Sequence, residues 1–82
     1  MYFTFVLKST TSDRYYIGSA EDVNMRLLRH NRGEVLSTKR YRPWVIVYTE
    51  SFETRADAVR RERQLKSWKS SKYLVQQLGL NV

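Results

Sequence analysis

Two polar residues of the sequence stand beside the predicted buried face of a helix. In the stretch DVNMRLLRH, Val23 and Leu27 mark the face that the helix buries. Spacings of three and four residues place Arg26 and His30, the only histidine of the chain, on or beside that face. A cation and an imidazole in such positions require either a structural partner or a function.

A second predicted helix repeats this pattern with an acid. Glu62 lies within the inward stripe of that helix, where an unpaired carboxylate is costly and either shifts its pKa or acquires a partner. If both helices cover the sheet, Glu62, Arg26 and His30 converge near the predicted hairpin that carries Tyr16. A carboxylate, an arginine, a histidine and a tyrosine then lie together.

This combination of side chains is suited to the hydrolysis of phosphodiester bonds. A single carboxylate can hold one Mg²⁺, which keeps several waters and takes its other ligands from substrate phosphate. Arginine can offset charge in the phosphoryl transition state, and tyrosine or histidine can orient or deprotonate water. Structural interpretations remain open: an internal Arg26–Glu62 ion pair, a hydrogen-bonded core His30, a packed Tyr16 and a chain turn at Gly18.

The elements that must position these residues are predicted from composition and caps. Strands are predicted over residues 2–8, 14–19 and 44–51, and helices over 21–31, from Thr54 to about Trp68, and from Ser70 or Ser71 to Gly79. Residues 33–43 read as a basic loop, and the third strand, the most apolar, is predicted at the sheet centre. The predicted class is α+β: one domain, residues 1–82, with a three-stranded, mainly antiparallel sheet flanked by helices in the order β-β-α-β-α-α.

The charge balance favours a polyanionic partner. Fifteen Lys and Arg residues against eight acids give a net charge of +7, which favours nucleic acid through counterion release. A membrane is not expected, because no apolar stretch approaches ~20 residues and no helix pairs a broad apolar face with a basic one. The start of the chain has no signal-peptide pattern and cysteine is absent, so a soluble cytoplasmic protein is expected.

At these residues the sequence resembles the GIY-YIG endonuclease superfamily, and above all its small single-domain bacterial members, over nearly the whole chain. The second motif stands intact as Tyr16-Ile17-Gly18, Arg26 follows Tyr16 by ten residues, and Glu62 in AVRRERQLK matches the metal-binding glutamate of the family. The resemblance implies an endonuclease that uses one Mg²⁺ or Mn²⁺ held by Glu62. It also implies that Arg26 contacts the scissile phosphate, that Tyr16 activates water and that His30 assists.

The first motif departs from the family pattern. Phe5 takes the place of the family's first tyrosine and has no hydroxyl, so Tyr16 would have to serve in its place. A binding module without catalysis and a purely structural domain are the alternative functions.

DNA is favoured over RNA, with DNA repair implied by the resemblance to the nuclease module of the excision-repair incision subunit. A partner protein or a homodimer would help to direct so small a chain to its substrate. The residues predicted to grip nucleic acid are Arg29, Arg32, Lys39, Arg40, Arg42 and Trp44, with Tyr41 or Trp44 available to stack on a base.

Overall fold

The computed structural model describes residues 1–80 and contains all the predicted elements. Their bounds are β1 Tyr2–Ser9, β2 Tyr15–Ala20, α1 Val23–Asn31, α2 Leu36–Lys39, β3 Trp44–Phe52, α3 Arg55–Ser67 and α4 Ser71–Leu78. The predicted α+β class is confirmed, and so is the order β-β-α-β-α-α of the predicted elements. The addition is α2, a single helical turn inside the segment that was expected to be a loop.

The central strand of the sheet is β1. It pairs antiparallel with β2 on one side and with β3 on the other, which gives the order β2-β1-β3. The prediction that β3 lies at the centre is therefore wrong. The continuous run of buried residues from Thr4 to Leu7 shows that β1 is covered on both faces, whereas Val45 of β3 is 44% exposed.

Helices cover both faces of the sheet. On one face, Phe5 belongs to a buried cluster against which Leu27 of α1 packs. On the other face, Val6 forms a cluster with Leu65 of α3 and Leu74 of α4. The alternation of side chains along β1 produces this division. Because β2 is an edge strand, side chains from the helices on either face can reach its free edge.

Side-chain caps determine where the helices begin. The Asp22 carboxylate accepts a hydrogen bond from the Met25 backbone N–H at 3.0 Å, so α1 begins at Val23 and not at the predicted Glu21. The predicted ends of the later helices are confirmed: Thr54 caps α3, Ser70 caps α4, and Gly79, with a φ of 65°, ends α4.

Candidate active site at the edge of the sheet

Arg26 and Glu62 meet at Ser19, near the end of edge strand β2. The Arg26 guanidinium donates a hydrogen bond to the Ser19 carbonyl oxygen at 3.4 Å. The Ser19 hydroxyl donates to Oε1 of Glu62 at 2.7 Å. Since Arg26 belongs to α1 and Glu62 to α3, helices that cover opposite faces of the sheet contribute to the same place. One serine thus connects two residues that are far apart in the sequence.

Glu62 is held as a carboxylate. Its side chain is 19% exposed, and Nζ of Lys66, one helical turn later, lies 2.6 Å from its Oε2. Burial alone would raise the pKa of Glu62, but the hydrogen bonds from Lys66 and Ser19, together with the charges of Lys66 and Arg26, lower the pKa below its ordinary value. The interpretation of a direct Arg26–Glu62 ion pair is wrong, because the ion-pair partner of Glu62 is Lys66.

His30 is buried and is hydrogen-bonded to α2. It is 1% exposed, and its Nδ1 lies 2.7 Å from Oγ1 of Thr38. The Thr38 hydroxyl donates its proton to the backbone oxygen of Val35 at 3.3 Å. We therefore place the proton of the His30 ring on Nδ1, which donates to the Thr38 oxygen. Nε2 is then the acceptor nitrogen of the ring, and it has no hydrogen-bond partner within residues 1–80.

Tyr16 lies against the His30 ring. The two ring centroids are 4.4 Å apart and the planes are inclined by 56°. Burial lowers the pKa of His30, and the charges of Arg26 and Arg29 lower it further. His30 is therefore neutral at neutral pH. A neutral imidazole with a free acceptor nitrogen thus adjoins the tyrosine of the second motif.

Gly18 permits the close packing of two aromatic rings. It is paired with Phe5 across the β1–β2 ladder. A Cβ atom at Gly18 would lie 2.7 Å from Cζ of Phe5 and 3.1 Å from Cε2 of Tyr16. Phe5 itself is fully buried. Strand β2 continues through Gly18 to Ala20, so the interpretation of a chain turn at Gly18 is wrong.

The candidate site residues form two neighbouring pairs rather than one cluster. Tyr16 and His30 lie on the α1 face of the sheet, whereas Glu62 approaches the Ser19 side chain from α3 on the other face. Tyr16 precedes Ser19 by three residues, which is about 10 Å along an extended strand. Arg26 acts on both pairs, because its positive charge lowers the pKa of His30 and the pKa of Glu62.

The arginines and lysines predicted to grip nucleic acid are exposed, in α1, in α2 and in the segments that follow each: Arg29, Arg32, Lys39, Arg40 and Arg42. Glu34 is the acid of this region and lies 3.4 Å from Arg29 and 3.8 Å from Arg32. Since a single acid faces several cations, the surface keeps an excess of positive charge. Such a surface suits contact with a phosphate backbone.

The prediction for Trp44 is wrong. Its side chain is 3% exposed, and its indole N–H donates to the backbone oxygen of Thr38 at 3.0 Å. The Asn31 amide binds the Trp44 backbone twice, donating to its oxygen at 3.1 Å and accepting from its N–H at 2.6 Å. Trp44 therefore belongs to the core. Tyr41 is partly exposed, with the Arg14 guanidinium 4.5 Å from its ring centroid, and its stacking on a base stays a prediction.

The donor set fits one hard cation. Among residues 1–80, no three His, Cys, Asp or Glu side chains are grouped so that they could hold a metal ion. Mg²⁺ needs no such cage, because it binds through one or two carboxylates and completes its shell with water and phosphate oxygens. Glu62 offers one ionised carboxylate at the sheet edge. Lys66, whose side chain is 52% exposed, can withdraw from it.

The profile of the GIY-YIG catalytic domain matches residues 1–74. The chain belongs to the GIY-YIG family. UPF0213 proteins of several Staphylococcus aureus strains, strain COL among them, are 38% identical to it over 74 residues, which are 89% of this chain and 89% of each relative. The solution NMR structure of the UPF0213 protein BH0048 from Bacillus halodurans shares the fold, with a TM-score of 0.53 and 24% identity over 95% of this chain and 86% of that chain.

Family membership gives the chain a nuclease-type fold, and the GIY-YIG nuclease domain implies binding to nucleic acid. Within residues 1–80, no helix has both the length and the apolar character required to span a membrane. These findings agree with the positive charge of the chain and with the exposed basic surface around α2.

Three residues of the site were not predicted: Ser19, Thr38 and Lys66. Lys66 could have been found, since a lysine four residues after a glutamate on a helix is a common ion-pair spacing. Ser19 and Thr38 gave no such signal. Their roles depend on contacts with α3 and α1 that only the folded chain creates.

Proposed function

We propose that this protein is a divalent-metal-dependent endonuclease that hydrolyses phosphodiester bonds in DNA. The observation that carries the proposal is the meeting of Arg26 and ionised Glu62 at Ser19. A cationic group that binds phosphate and an anionic group that binds a metal are the two elements that a one-metal phosphodiesterase requires at adjacent positions. The exposed edge of β2 gives a substrate access to both.

Glu62 would hold the cation through its carboxylate oxygens. A bound Mg²⁺ or Mn²⁺ supplies Lewis-acid stabilisation of the phosphate oxygens and of the leaving group. Two contacts prepare Glu62 for this role: Ser19 holds Oε1, and Lys66 offsets the negative charge at Oε2. Lys66 is half-exposed and is free to move toward a substrate phosphate.

Hydrolysis forms a bond between the water oxygen and phosphorus and breaks the bond between phosphorus and one sugar oxygen. The attacking water loses a proton, and the departing sugar oxygen gains one. Tyr16 orients the water, whose proton passes to solvent at the open edge of β2, and the buried His30 packs against the Tyr16 ring and supports its position. Arg26 stabilises the negative charge that develops on the phosphoryl oxygens.

The surrounding cations favour a substrate that is recognised by shape. Arginine and lysine contacts to phosphates position a nucleic acid without reading its sequence, and the exposed cations around α1 and α2 are of this kind. We therefore propose structure-directed cleavage of DNA. The resemblance to the nuclease module of the excision-repair incision subunit is what connects the proposal to DNA repair.

The decisive experiment is cleavage of a labelled panel of single-stranded, flap and branched DNA with Mg²⁺ or Mn²⁺. Glu62→Gln keeps the shape of the side chain but removes its charge, and the expected loss of rate is at least about 100-fold. Glu53→Gln, at an exposed acid outside the site, is the matched control and should cut like the wild type. Undiminished metal-dependent cutting by Glu62→Gln refutes the assignment.

A binding module without catalysis is the second candidate, and Phe5 favours it. Phe5 lacks a hydroxyl and is fully buried, so the first motif offers no group to water or substrate. This candidate predicts that the wild type and Glu62→Gln both bind the panel, with affinity that falls steeply with salt. It also predicts that neither protein cuts with any divalent metal.

A further inference from the structure

A groove runs along β2 on the face covered by α3 and α4. Its volume is about 610 Å³, within the ~300–1,000 Å³ typical of ligand sites. Tyr15 of β2, whose side chain lies on this face, lines one side, and Lys66 and Lys69, at the end of α3 and just beyond it, line the other. We call this the β2–α4 groove.

The β2–α4 groove has an apolar floor and a cationic margin. Leu65 and Leu74, both almost fully buried, contribute to the floor. The charged residues that line the groove are three cations, Arg14, Lys66 and Lys69, and one acid, Asp13. An occupant that complements this lining combines negative charge with flat apolar surface. Nucleotides have this combination.

The aromatic ring of Tyr15 in the wall favours an unpaired strand over a duplex. Aromatic side chains stack on bases whose faces are free, and a basic groove follows the backbone of such a strand. Tyr15 is partly exposed. In a duplex, by contrast, the faces of the bases are covered by their neighbours.

The β2–α4 groove is continuous with the candidate active site. Lys66 lines the groove, and its Nζ lies 2.6 Å from Oε2 of Glu62. A strand that places one phosphate at Glu62 and Arg26 therefore has its next nucleotides at the mouth of the groove.

We propose that the β2–α4 groove binds the unpaired strand on one side of the scissile phosphate. The proposal rests on the proposed function for the position of that phosphate. The binding of the strand itself needs no catalysis. Lys69 and Arg14 contact phosphates, and Tyr15 stacks on a base. The protein would thus prefer flaps, overhangs and single strands to continuous duplex.

The test measures binding of a fluorescent oligothymidylate without metal, by anisotropy over a range of salt concentrations. Lys69→Ala is expected to weaken binding several-fold and to reduce the slope of log K against log salt by about 0.7 for each phosphate that the variant no longer neutralises. Lys72→Ala is the matched control, because Lys72 is an exposed lysine of α4 that does not line the groove. A duplex of equal length should compete poorly.

A second variant tests whether weaker binding could result from a folding defect. Lys69 has a positive φ of 56°, which glycine adopts without strain, so Lys69→Gly should fold at least as well as the wild type and still bind weakly. The proposal is overturned if the wild type does not bind the oligothymidylate, or if Lys69→Ala and Lys72→Ala bind equally. Glu62-dependent cleavage would then still support the endonuclease. Conversely, Lys69-dependent binding without any cleavage would support the proposal for the groove and refute the proposal of an endonuclease.

Discussion

Substituting Gly18 by alanine tests whether this motif glycine serves packing. The added Cβ would lie 2.7 Å from Cζ of Phe5 and 3.1 Å from Cε2 of Tyr16, and real side-chain atoms rarely approach so closely. Phe5 is fully buried in the core, so its ring has no free space into which it can move. Alanine at this position therefore requires the strands or the rings to shift.

Two effects of opposite sign determine the change in stability. Glycine in a strand is less favourable than alanine by roughly 0.5–1 kcal/mol, which favours the variant. Overpacking a closed core costs about 1–3 kcal/mol, and the contact of 2.7 Å places Gly18→Ala toward the upper part of that range. We expect a net loss of about 1–2 kcal/mol. For a domain of this size, this corresponds to a melting temperature lower by roughly 4–16 °C.

The assay is urea unfolding of the wild type, Gly18→Ala, Phe5→Leu and the double variant. Leucine lacks the ring atoms that the new methyl group meets most closely, so the cost of Gly18→Ala should be smaller in the Phe5→Leu background, where the 3.1 Å contact with Tyr16 remains. The reasoning is refuted if Gly18→Ala is as stable as the wild type, or if it costs the same in both backgrounds. Either result would show that Gly18 does not act through Phe5.

Three further predictions concern the hydrogen bonds and charges of the site. Thr38→Val should lose about 1–3 kcal/mol of stability because it leaves His30 Nδ1 buried without a partner; Thr38→Ser, which keeps the hydroxyl, should lose less in urea unfolding. The lowered pKa of His30 means that the unfolded chain binds a proton more readily, so stability should fall as the pH drops below about 6.5. Urea unfolding at several pH values should show a weaker dependence for His30→Gln, and equal dependence would contradict the assignment. Lys66→Gln should raise the pKa of Glu62, followed by NMR of its carboxylate, because the hydrogen bond and charge of Lys66 lower it. The stability of Lys66→Gln should change by no more than about 0.5 kcal/mol, since Lys66 is half-exposed and lies four residues from Glu62 on one helix.

The elements of this fold could be predicted because their signals are local. Thr54, Ser70 and Gly79 each determine a helix end through contacts within a few residues, and those contacts can be inferred from residue type and spacing. The same holds for the hairpin of β1 and β2, which turn-forming residues separate. The helix α2 was not predicted, because a single turn of helix has too few residues to show a period.

Strand order and the position of Trp44 could not be predicted in this way. The apolar composition of β3 suggested a central strand, but what distinguishes β1 is burial on both faces by helices that follow it in the chain. Trp44 follows a basic segment and was expected on the surface. Its burial depends on Asn31, which binds its backbone, and on Thr38, which accepts from its indole.

The location of the site at an edge strand explains why its charge states are already suitable in the free protein. Helices on both faces reach β2, so Arg26 of α1 lies near enough to lower the pKa of both His30 and Glu62. At neutral pH the site therefore combines a cation, an anion and a neutral imidazole beside Tyr16, and on our proposal the cation binds phosphate and the anion binds a metal. A strand in the interior of the sheet could not combine these groups, because its two faces would be separated by its neighbours. The edge position of β2 thus links the topology of the fold to the chemistry that we propose for it.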